Sequence, residues 1–112
     1  MLTAAQNARV VYVTVGKAEE AENIAKGVVE AKLCACVNMV PNVRSFYRWD
    51  GKVQDDVEHL LIIKTLERHL EALYQKIREL HSYEVPEFIA LPIENGSSDY
   101  LNWLHESVSP DS

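Results

Sequence analysis

The chain predicts an α+β fold on the split βαβ, or ferredoxin-like, plan, with a long central β-hairpin and an extra C-terminal helix. Three observations carry that expectation. Stretches rich in β-branched and aromatic residues alternate with stretches whose apolar residues recur at helical spacing. Two long extended stretches meet at Asp50-Gly51, a dipeptide that readily supplies the two positive φ angles of a type I′ turn. The resulting order is strand, helix, strand, hairpin, strand, helix, strand, helix, which is two βαβ halves joined by a hairpin and closed by one more helix.

Arg9 to Val15 is almost entirely β-branched or aromatic and stops at Gly16, the pattern of a strand covered on both faces. From Ala18 to Leu33, Ala21, Ile24, Ala25, Val28 and Ala31 fall on one helical face, with Glu19, Glu22, Lys26 and Glu30 on the other. Ala35 to Trp49 and Lys52 to Thr65 read as the hairpin strands, with Trp49 beside Lys52 and Tyr47 beside Gln54. Pro41 has no N–H for the ladder, so a bulge is expected there. Thr65 is placed as the cap of a second helix that carries Leu66, Leu70, Leu73, Tyr74, Ile77 and Leu80 and ends near His81. Glu87 to Ile93 reads as a short strand, and Ser97 or Ser98 as the cap of a last helix with Tyr100, Leu101, Leu104 and Val108 on one side.

The hairpin is too long for its domain. Strands of about 14 residues at roughly 3.3 Å per residue reach about 46 Å, whereas a globule of this size has a diameter of about 34 Å. The hairpin must bend at Pro41 and Asn42 or reach past its own sheet. Its outer part carries Phe46, Tyr47 and Trp49, which suit a buried interface better than a solvated tip. Self-association is the expectation.

Composition narrows the function classes. Eleven Lys and Arg against 17 Asp and Glu leave a net charge of −6 with no basic cluster, so neither nucleic acid nor an anionic membrane is an expected partner. The longest apolar run, Leu60 to Ile63, is far short of a membrane span. Two cysteines and no secretory signal suit a reducing, cytoplasmic location, with a removed targeting extension as the alternative. The length suits one domain over 1–112, its core about 9–108. No nucleophile elbow, zincin, Walker or dinucleotide motif occurs, so no catalytic residues are assigned and no enzyme is expected.

The loop His81-Ser82-Tyr83-Glu84-Val85-Pro86-Glu87 gathers an imidazole, a phenol and two carboxylates after the second helix. Loops of this kind often hold sites. His81 with a thiol from Cys36 or Cys34 would suit copper or zinc. The competing reading of His81 is a C-terminal helix cap. Cys34-Ala-Cys36 lacks the second ligand pair of a zinc knuckle and reads equally as two small buried thiols.

Several segments together resemble the CutA divalent-cation-tolerance family: Ala35-Cys36-Val37-Asn38 leading to Val40-Pro41, Tyr47-x-Trp49-x-Gly51-Lys52, Leu61-Ile62-Ile63-Lys64-Thr65, His81-x-Tyr83-Glu84-Val85-Pro86-Glu87, Ala90-Leu91-Pro92-Ile93 and Tyr100-Leu101-x-Trp103. The likeness covers residues 10 to about 105. It implies a homotrimer similar in architecture to the PII signalling proteins, assembled through the hairpin strands, involved in the response to metal ions and in some members binding copper. The family's bacterial copper pattern, a Cys near the end of the first strand and a His-His pair, falls here on Val13 and Leu80-His81, so His81 with Cys36 and Glu84 is the ligand set the resemblance leaves. Tyr47, Trp49, Lys64, Tyr83 and Glu87 are the candidates for a cleft between subunits. The alternatives are a PII-like sensor of a small anionic metabolite, and a trimeric scaffold for an unidentified protein partner.

Overall fold

The computed structural model describes residues 1–110. Its elements are β1 (Leu2–Ala4), β2 (Ala8–Val15), α1 (Ala18–Glu30), β3 (Cys36–Trp49), β4 (Lys52–Leu66), a 3-10 turn (Glu67–His69), α2 (Leu70–Leu80), β5 (Ile89–Pro92), β6 (Asn95–Ser97) and α3 (Ser98–Ser107). The main sheet runs β3-β4-β2-β5 and is antiparallel throughout. Order and pairing agree with the split βαβ expectation.

Alternation explains the layers. Val11, Val13 and Val15 of β2 and Leu61 and Ile63 of β4 project to one side, where they are fully buried against Ile24 and Val28 of α1 and Leu73 and Ile77 of α2. A second cluster, Ala5, Ala8, Leu66, Leu101, Leu104 and Val108, fixes α3 to the other end of the sheet. Ser97 is the cap of α3, its Oγ accepting from the Tyr100 N–H at 3.1 Å.

The hairpin turns as expected, with Asp50 at φ 52° and Gly51 at φ 74°. Trp49 faces Lys52 and Tyr47 faces Gln54. The register shifts between Val40 and Val43, so Pro41 and Asn42 together oppose His59, and the Asn42 N–H donates to His59 Nδ1 at 3.3 Å. Beyond His59, β4 has only β3 beside it, because β2 ends at Val15. The overhang draws the molecule out to 46 × 25 × 22 Å.

Two expectations need correction. Thr65 caps no helix: it lies in β4, fully buried, and its hydroxyl donates to the Leu33 carbonyl at 2.7 Å, so the strand continues to Leu66 and α2 starts only at Leu70. The strand over Glu87 to Ile93 shrinks to Ile89–Pro92, since only those residues pair with β2. The N-terminus is ordered as β1, which pairs with β6 in a small ladder of its own, Leu2 opposite Ser97.

Candidate functional site

Where β2 stops, the sheet has a notch. The hairpin overhang stands on one side and the segment 83–87 on the other, and the space between is a cavity of about 630 Å³ walled by Thr14, Tyr47, Trp49, Glu58, Tyr83 and Glu87, with Glu84 and Val85 at the same wall.

The loop is held in place by His81. This residue ends α2, its N–H donating to the Ile77 carbonyl at 2.8 Å while its backbone turns extended. Its ring Nδ1 accepts the Tyr83 N–H at 3.0 Å, so Nε2 carries the proton and donates to the Thr14 carbonyl at 2.8 Å. Thr14 lies past the last β2–β5 pair, Tyr12 with Ile89, so the imidazole satisfies a strand carbonyl that β5 no longer reaches. Glu20 approaches from α1, accepting from the Ser82 hydroxyl at 3.1 Å, with its carboxylate 4.0 Å from His81 Nδ1.

Tyr83 then crosses the end of β2 to reach the hairpin. Its hydroxyl donates to Glu58 Oε2 at 3.3 Å. The path passes over Gly16, where a Cβ would stand 2.7 Å from that hydroxyl oxygen, so the glycine opens the crossing. On the hairpin, the Tyr47 hydroxyl donates to Asp56.

The electrostatics are one-sided. Glu58 is 6% exposed, and among the described residues no cation pairs with it. Burial, reinforced by the charge of Glu58, lifts the Glu87 carboxyl above the usual carboxylate range. Burial and Glu58 likewise raise Tyr83, and the hydrogen bond to Asp56, followed by burial, pushes Tyr47 up to about 12. Both phenols therefore stay neutral at physiological pH. Among the described residues no Lys or Arg lines the cavity.

The structure brings together Tyr47, Trp49, Tyr83 and Glu87, with Glu84 beside them, within one protomer, whereas the sequence expectation set the first four in a cleft between subunits and Glu84 among metal ligands. It does not bring Lys64 there. Lys64 is paired with Cys36 across β3 and β4, with its ammonium on the Asn38 side-chain oxygen. Cys36 is also remote from His81: Lys64, its partner, lies four residues along β4 from Leu60, which faces Thr14, a separation of roughly 13 Å along the sheet. Both His81 ring nitrogens are already used, and among the described residues no three His, Cys, Asp or Glu side chains converge as metal ligands. His81, Cys36 and Glu84 therefore do not fit a metal centre within one protomer. Thr14, Ser45 and Glu58 are wall residues that the sequence did not single out. The acidic run Asp55, Asp56, Glu58 held the only signal, and nothing local separates Glu58 from its exposed neighbours.

The chain's relatives agree with this architecture. Residues 9–107 match the family described as CutA1 divalent ion tolerance protein. The chain is 53% identical over 99 residues to "Protein CutA, chloroplastic" of Arabidopsis thaliana, covering 88% of this chain and 54% of that one. It is 48% identical over 99 residues to "Divalent-cation tolerance protein CutA" of Thermus thermophilus, covering 88% of this chain and 96% of that one. It therefore spans about half the length of its plant relatives and nearly all of the bacterial one. The crystal structure of CutA1 from Oryza sativa superposes with a TM-score of 0.90 at 48% identity, covering 94% of this chain and 96% of that chain. This chain belongs to the CutA1 divalent ion tolerance family.

Proposed function

We propose that this chain acts as a homotrimer in the tolerance of divalent cations, as a single-domain binding or signalling module that performs no enzymatic step. The observation that carries the assembly is the uncovered face of the main sheet. Opposite the helices, Val10 and Tyr12 of β2, Leu60 and Ile62 of β4, and Ile89 and Leu91 of β5 share one apolar surface, with Ile89 49% and Leu91 41% exposed. A sheet face turned to water ordinarily alternates to polar residues. The hairpin tip adds Phe46 at 63% and Trp49 at 65% exposure. Large exposed apolar surface of this kind marks an interface, and a closed ring of three copies is an assembly that can bury it.

The role in cation tolerance is supported by the name of the Thermus thermophilus relative. The two free thiols, Cys34 and Cys36, favour a reducing compartment, cytoplasmic or reached behind a removed targeting extension as the chloroplastic names of the plant relatives suggest. A copper centre built from His81, Cys36 and Glu84 is not part of this reading.

Light scattering of the purified chain, combined with calorimetric copper titration of the wild type, His81→Ala and Cys36→Ala, tests the proposal. The expected result is a mass about three times the 12.7 kDa of one chain, with copper heats unchanged by Cys36→Ala. A monomeric mass at micromolar concentration would sink the trimer. Saturable copper binding lost in both variants would restore His81 and Cys36 as ligands.

A further inference from the structure

Asn95 and Gly96 form a pair with a chemistry of its own. An asparagine carboxamide can be attacked by the backbone nitrogen of the next residue, and a glycine there, having no side chain, leaves that nitrogen least hindered. Of the asparagines in the chain, Asn95 alone is followed by glycine. Packing keeps the glycine in place: a Cβ at position 96 would stand 3.2 Å from Cγ and Cδ2 of Leu101, which is buried in the cluster that fixes α3. Asn95 itself is exposed.

The β1–β6 ladder holds the nucleophile. The Ala5 N–H donates to the Glu94 carbonyl at 2.8 Å, and the Ser98 N–H donates to the Met1 carbonyl at 3.0 Å. Hydrogen-bonded pairs alternate along an antiparallel ladder, so between these two bonds Thr3 and Gly96 are the bonded pair, and the Gly96 N–H donates to the Thr3 carbonyl. The extended strand adds a second block, because ring closure needs the Gly96 nitrogen rotated towards the Asn95 side chain. Both blocks depend on β1, whose three residues are all exposed in a two-stranded ladder outside the main sheet. A ladder of this kind has little stability by itself and opens without the rest of the fold.

We infer that Asn95-Gly96 is a site of spontaneous deamidation, gated by the opening of β1. Once β1 lifts away, hydroxide removes the Gly96 amide proton and the nitrogen attacks Asn95 Cγ. The Cγ–Nδ2 bond breaks and ammonia leaves, its third proton drawn from water, which closes a five-membered succinimide. Water then opens the ring at either carbonyl to give aspartate or isoaspartate. Isoaspartate carries the main chain through the former side chain and so lengthens it by one methylene, just before Ser97, whose Oγ caps α3. The β6 register with β1 is lost, and the helix loses its anchored start. One protomer suffices for this chemistry, so it rests on neither the tolerance reading nor the assembly.

The test is prolonged incubation of the full chain with a thiol reductant at mildly alkaline pH, followed by intact mass and by peptide mapping that separates aspartate from isoaspartate. Wild type, Asn95→Gln and Thr3→Pro are compared, with circular dichroism on each. Glutamine closes only to a slower six-membered ring, and proline at position 3 removes the N–H that faces Gly96 in the ladder. The expected result is the mass gain of exchanging an amide for a carboxyl, mapped to Asn95. It should be absent from Asn95→Gln and accumulate roughly five- to tenfold faster in Thr3→Pro. Aged wild type should melt below aged Asn95→Gln. Should Thr3→Pro fail to fold, Thr3→Gly carries the same expectation, because glycine weakens a strand. An Asn95 amide that survives in both wild type and Thr3→Pro would overturn the inference, as would equal rates in the two or loss centred on another asparagine. Equal melting of the aged proteins would overturn it as well, by severing the modification from α3.

Discussion

At Gly16 the missing side chain is what lets Tyr83 across the end of β2. A methyl there would stand 2.7 Å from the phenol oxygen, which is the far end of a side chain and can swing away. The collision therefore removes one hydrogen bond, Tyr83 to Glu58, without disturbing the backbone. Gly16→Ala and Tyr83→Phe should each change stability by about 1 kcal/mol or less, part of the alanine loss being offset by a stiffer unfolded chain. Because both act on the same contact, the double variant should lose less than the sum of the two. Urea unfolding of the four proteins measures this, and full additivity would mean that Tyr83 does not depend on Gly16 for its reach. His81 shows why the loop's chemistry was only half legible. Its place after a helix and beside Tyr83 can be read directly, but which groups take its two ring nitrogens depends on Thr14, 67 residues earlier. The ligand reading and the cap reading were both open until that partner was known, and neither anticipated a ring that stands in for a missing strand.

The hairpin is the element that sequence describes best, because its rules are local. Asp50-Gly51 sets the turn, the turn sets the register, and Pro41 announces the bulge. At the bulge Asn42 adopts φ 59°, a left-handed conformation that glycine and asparagine tolerate and β-branched residues do not. Asn42→Gly should therefore stay within about 0.5 kcal/mol of wild type, while Asn42→Val should lose about 1–2 kcal/mol, both read from denaturant midpoints. Equal effects would place the cost in the Asn42 side chain instead of its backbone. The other elements were legible only where their partners lie nearby. A threonine before a helical stripe looks like a cap, and Thr65 is a strand residue only because the Leu33 carbonyl is there to receive its hydroxyl. The β1–β6 ladder joins the two ends of the chain, and three residues without a periodic pattern could not reveal it. Glu58 is the same case at the site: alternation along β4 gives its face, and its hydrogen-bond partner is a tyrosine on another element.

The whole molecule is drawn out and carries apolar residues on both faces of its sheet. Its radius of gyration is 14.9 Å, against about 13 Å for a compact chain of this length. Two exposed aliphatic residues separate the causes. Leu91, on the open face of β5, is 41% exposed, and Val29, on α1, is 40% exposed. An isolated protomer would treat a lysine at either place alike, as a surface change worth less than about 0.5 kcal/mol. A trimer closed over the sheet faces would not, because a lysine at position 91 would enter the interface without a counter-charge. Leu91→Lys should therefore lower the mass in solution towards that of one chain and make the melting temperature depend on protein concentration, while Val29→Lys should leave both as in the wild type. Sedimentation over a range of concentrations distinguishes them. If both variants keep the wild-type mass and melting behaviour, β5 lies outside the interface, and the hairpin overhang alone must hold the assembly.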